Sequence, residues 1–255
     1  MSPKRAQALK SVVAELGGAL HTAGTGFVIV RTFCPWDIDK LEASFDDWNK
    51  YLPCPAKGKA PRLDGHAVDL LLYYSASFEA WPRALEVAQS LMRKFEDGHF
   101  PWAHCFDHMY LDTASLSKTQ DRYEPMMQNR DLLWVNGPNR QFEAAAQIVQ
   151  RPKFRPDKAL EGYEAFYLME PDSVPWRGDW LTQLVNEISH KAPFAVLGSK
   201  YHGYKWHDFE EHLPLPLLHH INGNAIYNVS HGLTRLMLKQ LEHEKAGTRC
   251  KSRFR

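Results

Sequence analysis

The sequence predicts one α/β domain with a mostly parallel central sheet flanked by helices. Three observations carry this expectation. Short apolar runs bounded by turn residues recur along the chain, as strands buried on both faces do. Stretches of helical spacing lie between them, in the alternation that builds βαβ units. At 255 residues the chain is long enough for one large core.

The elements follow in order. Residues 4–20 carry a helical apolar pattern through Ala8, Val12, Val13, Leu16 and Leu20. Gly24-Thr25-Gly26 breaks it before Phe27-Val28-Ile29-Val30, the first strand. Ile38, Leu41, Phe45 and Trp48 have helical spacing, and the Pro- and Gly-containing segment from Leu52 to Gly65 is a surface loop. Val68 to Tyr74 is a second strand, residues 80–95 a second helix, and Cys105 to Leu111 a third strand. Gln141 to Gln150 reads as a helix and Ala165 to Met169 as a strand. Trp180 to Ile188 is amphipathic, Phe194 to Gly198 and Ile221 to Val229 are strands, and Leu233 to Glu244 is a closing helix. The expected division is a leading helix and linker over 1–25, a main domain over 26–245 and a basic tail over 246–255.

Composition narrows the function classes. With 31 basic and 30 acidic residues the formal net charge is +1, so no global field draws in nucleic acid or an anionic membrane. The dense basic run Arg249 to Arg255 reads as a solvated tail. The four cysteines show no C-x-x-C spacing, and the expectation is a reduced, cytoplasmic protein, or a soluble catalytic domain excised from a longer one. No stretch reaches the roughly 20 apolar residues of a membrane helix. Thirteen histidines raise a zinc reading, but no H-E-x-x-H spacing occurs, which argues against a zinc hydrolase.

The chemistry concentrates after the strand ending in Met169. In an α/β sheet, ligands gather beyond the carboxyl ends of the strands. There Glu170-Pro171-Asp172 holds two carboxylates two positions apart, with the middle φ fixed by proline. Hard divalent cations such as Mn²⁺ or Mg²⁺ prefer such oxygen ligands and complete their shell with water and substrate phosphates. A cation on a diphosphate neutralises the charge that develops when the diphosphate leaves.

The stretch Phe166 to Pro175, with Glu-Pro-Asp at its centre, resembles the D-x-D motif that ends a central strand in the GT-A glycosyltransferases. Glu170 replaces the first aspartate, so the resemblance makes Asp172 the direct metal ligand. Glu170 becomes either a metal ligand or a ribose or water contact. Later in the chain His220-Ile221-Asn222-Gly223-Asn224 is similar to the Asn-small-Gly strand that such enzymes place beside the donor sugar and acceptor. The first strand, continued by Arg31 and Thr32, is similar to the one that meets the nucleotide. The Glu-Pro-Asp turn, Phe194 to Gly203 and the His-Ile-Asn-Gly-Asn strand together resemble small glycosyltransferases of algae and of the large DNA viruses that infect them.

The resemblance implies a single GT-A, Rossmann-like domain and a metal-dependent glycosyltransferase. Such an enzyme moves a sugar from a nucleoside-diphosphate sugar to a hydroxyl acceptor on a glycan or glycoprotein. Arg31, Thr32, Asn139, Arg140, Glu170, Asn222, Gly223 and Asn224 are then the donor contacts, and Asp172, Glu170 and His220 the metal set, with His231 a further histidine of interest. Asp208, Glu210 and Glu211 are the nearest acidic residues for a general base if configuration inverts. Asn139 and Arg140 enter because a turn before a helix start frees backbone N–H groups for a diphosphate. The aromatic and cationic loop Ser199 to Trp206 suits sugar stacking and phosphate contact. The alternatives are a non-catalytic carbohydrate-binding relative, motivated by the altered first acidic position, and a nucleotide-sugar hydrolase. The eight tryptophans are expected mostly in the core.

Overall fold

The computed structural model describes residues 26–123, 136–151, 162–200 and 221–239. The expected helix over 4–20, the end of the closing helix and the basic tail lie outside these ranges, as do Asp208, Glu210, Glu211 and His220. The strands are β1 (Phe27–Phe33), β2 (Arg62–Leu63), β3 (His66–Tyr74), β4 (Met109–Thr113), β5 (Ala165–Met169), β6 (Val196–Lys200) and β7 (Ile221–Asn228). The helices are α1 (Ile38–Lys50), α2 (Pro82–Glu96), α3 (Asn136–Ile148) and α4 (Trp180–Lys191). Residues 232–239 are also helical.

The seven strands form one sheet in the order β2-β3-β1-β5-β7-β6, with β4 also on β3. β1 runs parallel to β3 and β5, and β4 parallel to β3. β7 pairs antiparallel with β5, and β6 antiparallel with β7. A mostly parallel centre with helices on both faces is therefore observed, and an antiparallel pair flanks it.

Alternation along β1 explains the layering. Phe27, Ile29 and Phe33 face a core shared with Leu41, Phe45 and Trp48 of α1, Ala84, Ala88 and Leu91 of α2, and Leu181 and Val185 of α4. Val28 and Val30 face the opposite core, with Ala145, Ala146 and Ile148 of α3. All seven β1 residues are buried, as the uninterrupted apolar run requires.

Some expectations shift. β4 starts at Met109 because residues 103–105 form a 3-10 turn. α3 starts at Asn136, ahead of the expected Gln141, with Pro138 in its first turn, where a missing N–H costs no helical bond. Gly137 is needed there: a Cβ would lie 2.8 Å from both the Arg122 carbonyl and the Tyr123 ring. Trp48 and Trp102 are buried as expected, while Trp36 and Trp176 are 73% and 80% exposed.

The reading of the cysteines as reduced is corrected. Cys54 and Cys105 are joined by a disulfide across a sequence separation of 51. Cys54 lies past the end of α1 and Cys105 closes the 3-10 turn before β4, so the fold makes this meeting and no local spacing announces it. Among the described residues Cys34 is a free, buried thiol. No described helix is long and apolar enough to cross a membrane.

Candidate functional site

α1 and α2 lead from β1 toward β3 and β4, whereas α3 leads back across β1 to β5. The gap beyond the carboxyl ends of β1 and β5 is thus the point where strand order reverses, the usual ligand site of an open α/β sheet. Glu170-Pro171-Asp172 occupies that place. Ser173 N–H donates to the Glu170 carbonyl at 3.0 Å and closes a β-turn with Pro171 at its second position, where a fixed φ is favoured.

Arg31 supports this turn from below. Its guanidinium donates to the carbonyls of Glu170, Pro171 (2.9 Å) and Ser173 (3.2 Å), and the residue is fully buried. Burial pulls its pKa down to about 10, against the pull of Tyr167, Asp172 and Asp37, and it stays cationic at neutral pH. The expected nucleotide contact thus sits beneath the acidic turn. The parallel register sets Arg31 beside Met169, so the guanidinium's two terminal nitrogens reach the turn's carbonyls.

Asn224 joins the two sequence motifs. Its side-chain carbonyl accepts the Glu170 backbone N–H at 2.9 Å and the Ser173 hydroxyl at 2.6 Å. Its amide donates to Glu170 Oε2 at 2.9 Å. Gly223 faces the other carboxylate oxygen, and a Cβ there would lie 3.0 Å from Glu170 Oε1. The glycine therefore makes room for the carboxylate. Asn222 also belongs to β7.

A cleft of about 570 Å³ opens over this arrangement. Thr32 and Phe33 of β1, Lys40 of α1, Asn139 and Gln141 of α3, Glu170 and Asp172 of the turn, and Gly223 of β7 contribute to its walls. Gln141 braces the floor by donating to the Phe33 and Tyr73 carbonyls at 3.1 and 2.9 Å. Asp37, also on the wall, accepts from Lys40 at 2.9 Å and from the Cys34 thiol at 2.8 Å. Burial first, and then Asp37, push the Cys34 thiol far up, so it stays protonated. No family profile and no curated protein sequence matches the chain. Among solved structures it is similar to mouse xyloside xylosyltransferase 1 in its apo form. That match has a TM-score of 0.44 and 11% identity, covering 86% of this chain and 72% of the other. The functional reading accordingly stands on the cleft's own geometry.

The charge balance of the cleft favours a cation. Asp37, Glu170 and Asp172 face Lys40. Burial, the neighbouring Asp172 and the more distant Asp37 hold the Glu170 carboxyl above the usual carboxylate range, against the Asn224 bond that lowers it. A bound divalent ion would relieve this deficit, and a hard ion fits a donor set of carboxylate oxygens.

Other expected residues fall elsewhere. Arg140 pairs with Glu143 at 3.1 Å. His231 accepts the Leu233 N–H at its Nδ1, 3.2 Å away, at the start of the 232–239 helix. Among the described residues two groups bring three potential metal ligands within reach of one another, and the acidic turn is not one of them. Cys54, His104 and Cys105 are one, in which the sulfurs are disulfide-bonded. Asp69, Asp107 and His108 are the other, able to hold a divalent ion, but near the amino ends of β1 and β4. There Asp69 already accepts the Tyr163 hydroxyl at 2.6 Å and the His108 N–H at 3.2 Å. Lys40, Asp37 and Gln141 are cleft residues that sequence reasoning missed. Asp37 ends the 3-10 turn after β1 and Lys40 lies in the first turn of α1, where position alone was the available signal.

Proposed function

We propose that the chain is a glycosyltransferase of the GT-A type, moving a sugar from a nucleoside-diphosphate sugar to a hydroxyl acceptor. The observation that supports this reading is the Glu170–Asn224 pairing. It couples the acidic turn to the Asn-Gly-Asn strand at the sheet's switch point, where Glu170 and Gly223 line one anionic cleft. The narrower likeness to algal and viral enzymes belongs to the same reading.

Asp172, exposed on the turn, and Glu170 would hold Mn²⁺ or Mg²⁺, which when bound neutralises charge on the leaving diphosphate. Asn139 and Thr32 contact the donor from opposite walls, and Lys40 adds a cation for phosphate oxygens. Gly223 and Asn224 present the strand to the sugar. Arg31 and Asn224 together fix the turn before substrate arrives, so no binding energy is lost in ordering it. If configuration inverts, the base comes from Asp208, Glu210 or Glu211, and His220 adds to the metal set.

Calorimetric titration with UDP and GDP in Mn²⁺, followed by donor turnover, tests this reading. Binding that disappears on chelation and weakens by about tenfold or more in Asp172→Ala supports it. A protein that binds no nucleoside diphosphate and turns over no nucleotide sugar is not this enzyme.

A further inference from the structure

A second cleft, of about 400 Å³, opens beside the turn on the other face of the sheet. Alternation along β5 separates the two: Leu168 and Glu170 line the first, Tyr167 and Met169 the second. Gly223 faces the first and its neighbour Asn224 the second, so the turn and this strand step form their common wall.

The chemistry of the two clefts differs. The first carries Asp37, Lys40, Glu170 and Asp172, whereas no acidic or basic side chain lines the second among the described residues. Trp176 and Trp180 lie there with Ser173, Ser199 and Asn224. Trp180 is anchored, its indole N–H donating to the Tyr51 carbonyl at 3.1 Å. Trp176 is 80% exposed, held by the chain just past the turn, with the Arg177 guanidinium 5.6 Å from its ring. An exposed aromatic ring beside hydroxyl and amide groups matches a ligand with a C–H face and a rim of hydroxyls.

We infer that the second cleft binds a saccharide, stacked on Trp176 with its hydroxyls toward Ser173, Ser199 and Asn224. This rests on the glycosyltransferase reading.

The test uses methyl glycosides of glucose, galactose, mannose and xylose as probes, followed by saturation-transfer NMR on the full chain. At least one is expected to bind the wild-type protein. That signal should weaken about tenfold in Trp176→Ala and recover in part in Trp176→Phe, which keeps a stacking face. Thermal melts of both variants should match wild type, because an exposed ring carries little of the fold. The proposal fails if no glycoside binds the wild-type protein, or if Trp176→Ala binds as wild type does. It also fails if the cleft takes only an apolar dye. UDP titration of the wild-type protein separates the two readings: nucleotide without saccharide binding overturns this proposal alone. Saccharide binding lost in Trp176→Ala, without nucleotide binding, upholds the cleft and overturns the donor reading.

Discussion

Asn224 grips Glu170 at both backbone and side chain, accepting its N–H and donating to its Oε2, each at 2.9 Å. The same carbonyl also takes the Ser173 hydroxyl, so one amide fixes the start of the acidic turn, its end and the direction of one carboxylate. Removing that amide leaves several half-buried polar groups without partners.

Asn224→Ala is therefore expected to lower stability by about 2 kcal/mol, read from denaturant midpoints. It should also weaken nucleoside-diphosphate binding, because the turn is no longer preset. Asn224→Asp adds a sharper check. It sets a second carboxylate against Glu170, so its penalty should shrink as pH falls and either carboxylate takes up a proton. A penalty that stays constant with pH would rule out this contact.

Glu170 itself gives a pH signature. Its folded-state pKa is raised, chiefly by burial and then by Asp172, so above the usual carboxylate range the native state holds a proton that the unfolded chain has released. Stability from this group accordingly falls as pH rises from the unfolded value toward the raised one. Glu170→Gln should remove that slope and melt no lower than wild type near neutrality, since a glutamine keeps a hydrogen bond to Asn224. Cation binding runs the other way and should strengthen with pH over the same window. Thermal melts and Mn²⁺ titrations across pH 4 to 7, an interval set by the ordinary carboxylate range, check both signs.

Much of this site was legible in the sequence, for physical reasons. Met169-Glu170-Pro171-Asp172 sits where a buried apolar run meets a proline-stiffened turn, and both features are local. The Asn222-Gly223-Asn224 strand was legible as a small-residue segment, though its partner was not. That Asn224 bonds Glu170 follows from the antiparallel register of β7 on β5, which no sequence period specifies. The partners of Arg31 were hidden for the same reason. Its neighbours in sequence end a strand, but its partners are carbonyls on the adjacent strand's turn. The Cys54–Cys105 pair joins segments whose meeting depends on the packing of α1 against the approach to β4.

That disulfide makes its own prediction. Closing a loop of 51 residues restricts the unfolded chain, a constraint of about 4 kcal/mol by loop-closure entropy. Cys54→Ala with Cys105→Ala should lower the unfolding free energy by an amount of that order, read from denaturant titration. Digestion without reductant should yield one cross-linked peptide containing both residues. The segment leading into Cys54 also accepts the Asp179 and Leu181 N–H groups through the Leu52 and Pro53 carbonyls, at the start of α4. Removing the disulfide should therefore loosen the segment that carries Trp176, visible as faster amide exchange over 174–181. Separate peptides from the unreduced protein would refute the pairing.

Arg31 tests whether the turn is held by charge or by shape. The guanidinium reaches three carbonyls because its donors form a planar fork, and an ammonium on a flexible stem does not reproduce that spacing. Arg31→Lys keeps the charge, so a purely electrostatic role predicts near-wild-type stability. The fork predicts a loss of about 2 kcal/mol. Arg31→Met removes both and leaves the Pro171 and Ser173 carbonyls facing an apolar side chain, with an expected loss of about 3–4 kcal/mol. Nucleoside-diphosphate affinity should fall in the same order, Met below Lys below wild type, although in this structure the guanidinium is buried beneath the turn. Equal stability of the lysine variant and the wild type would show that the carbonyl fork does not hold the turn.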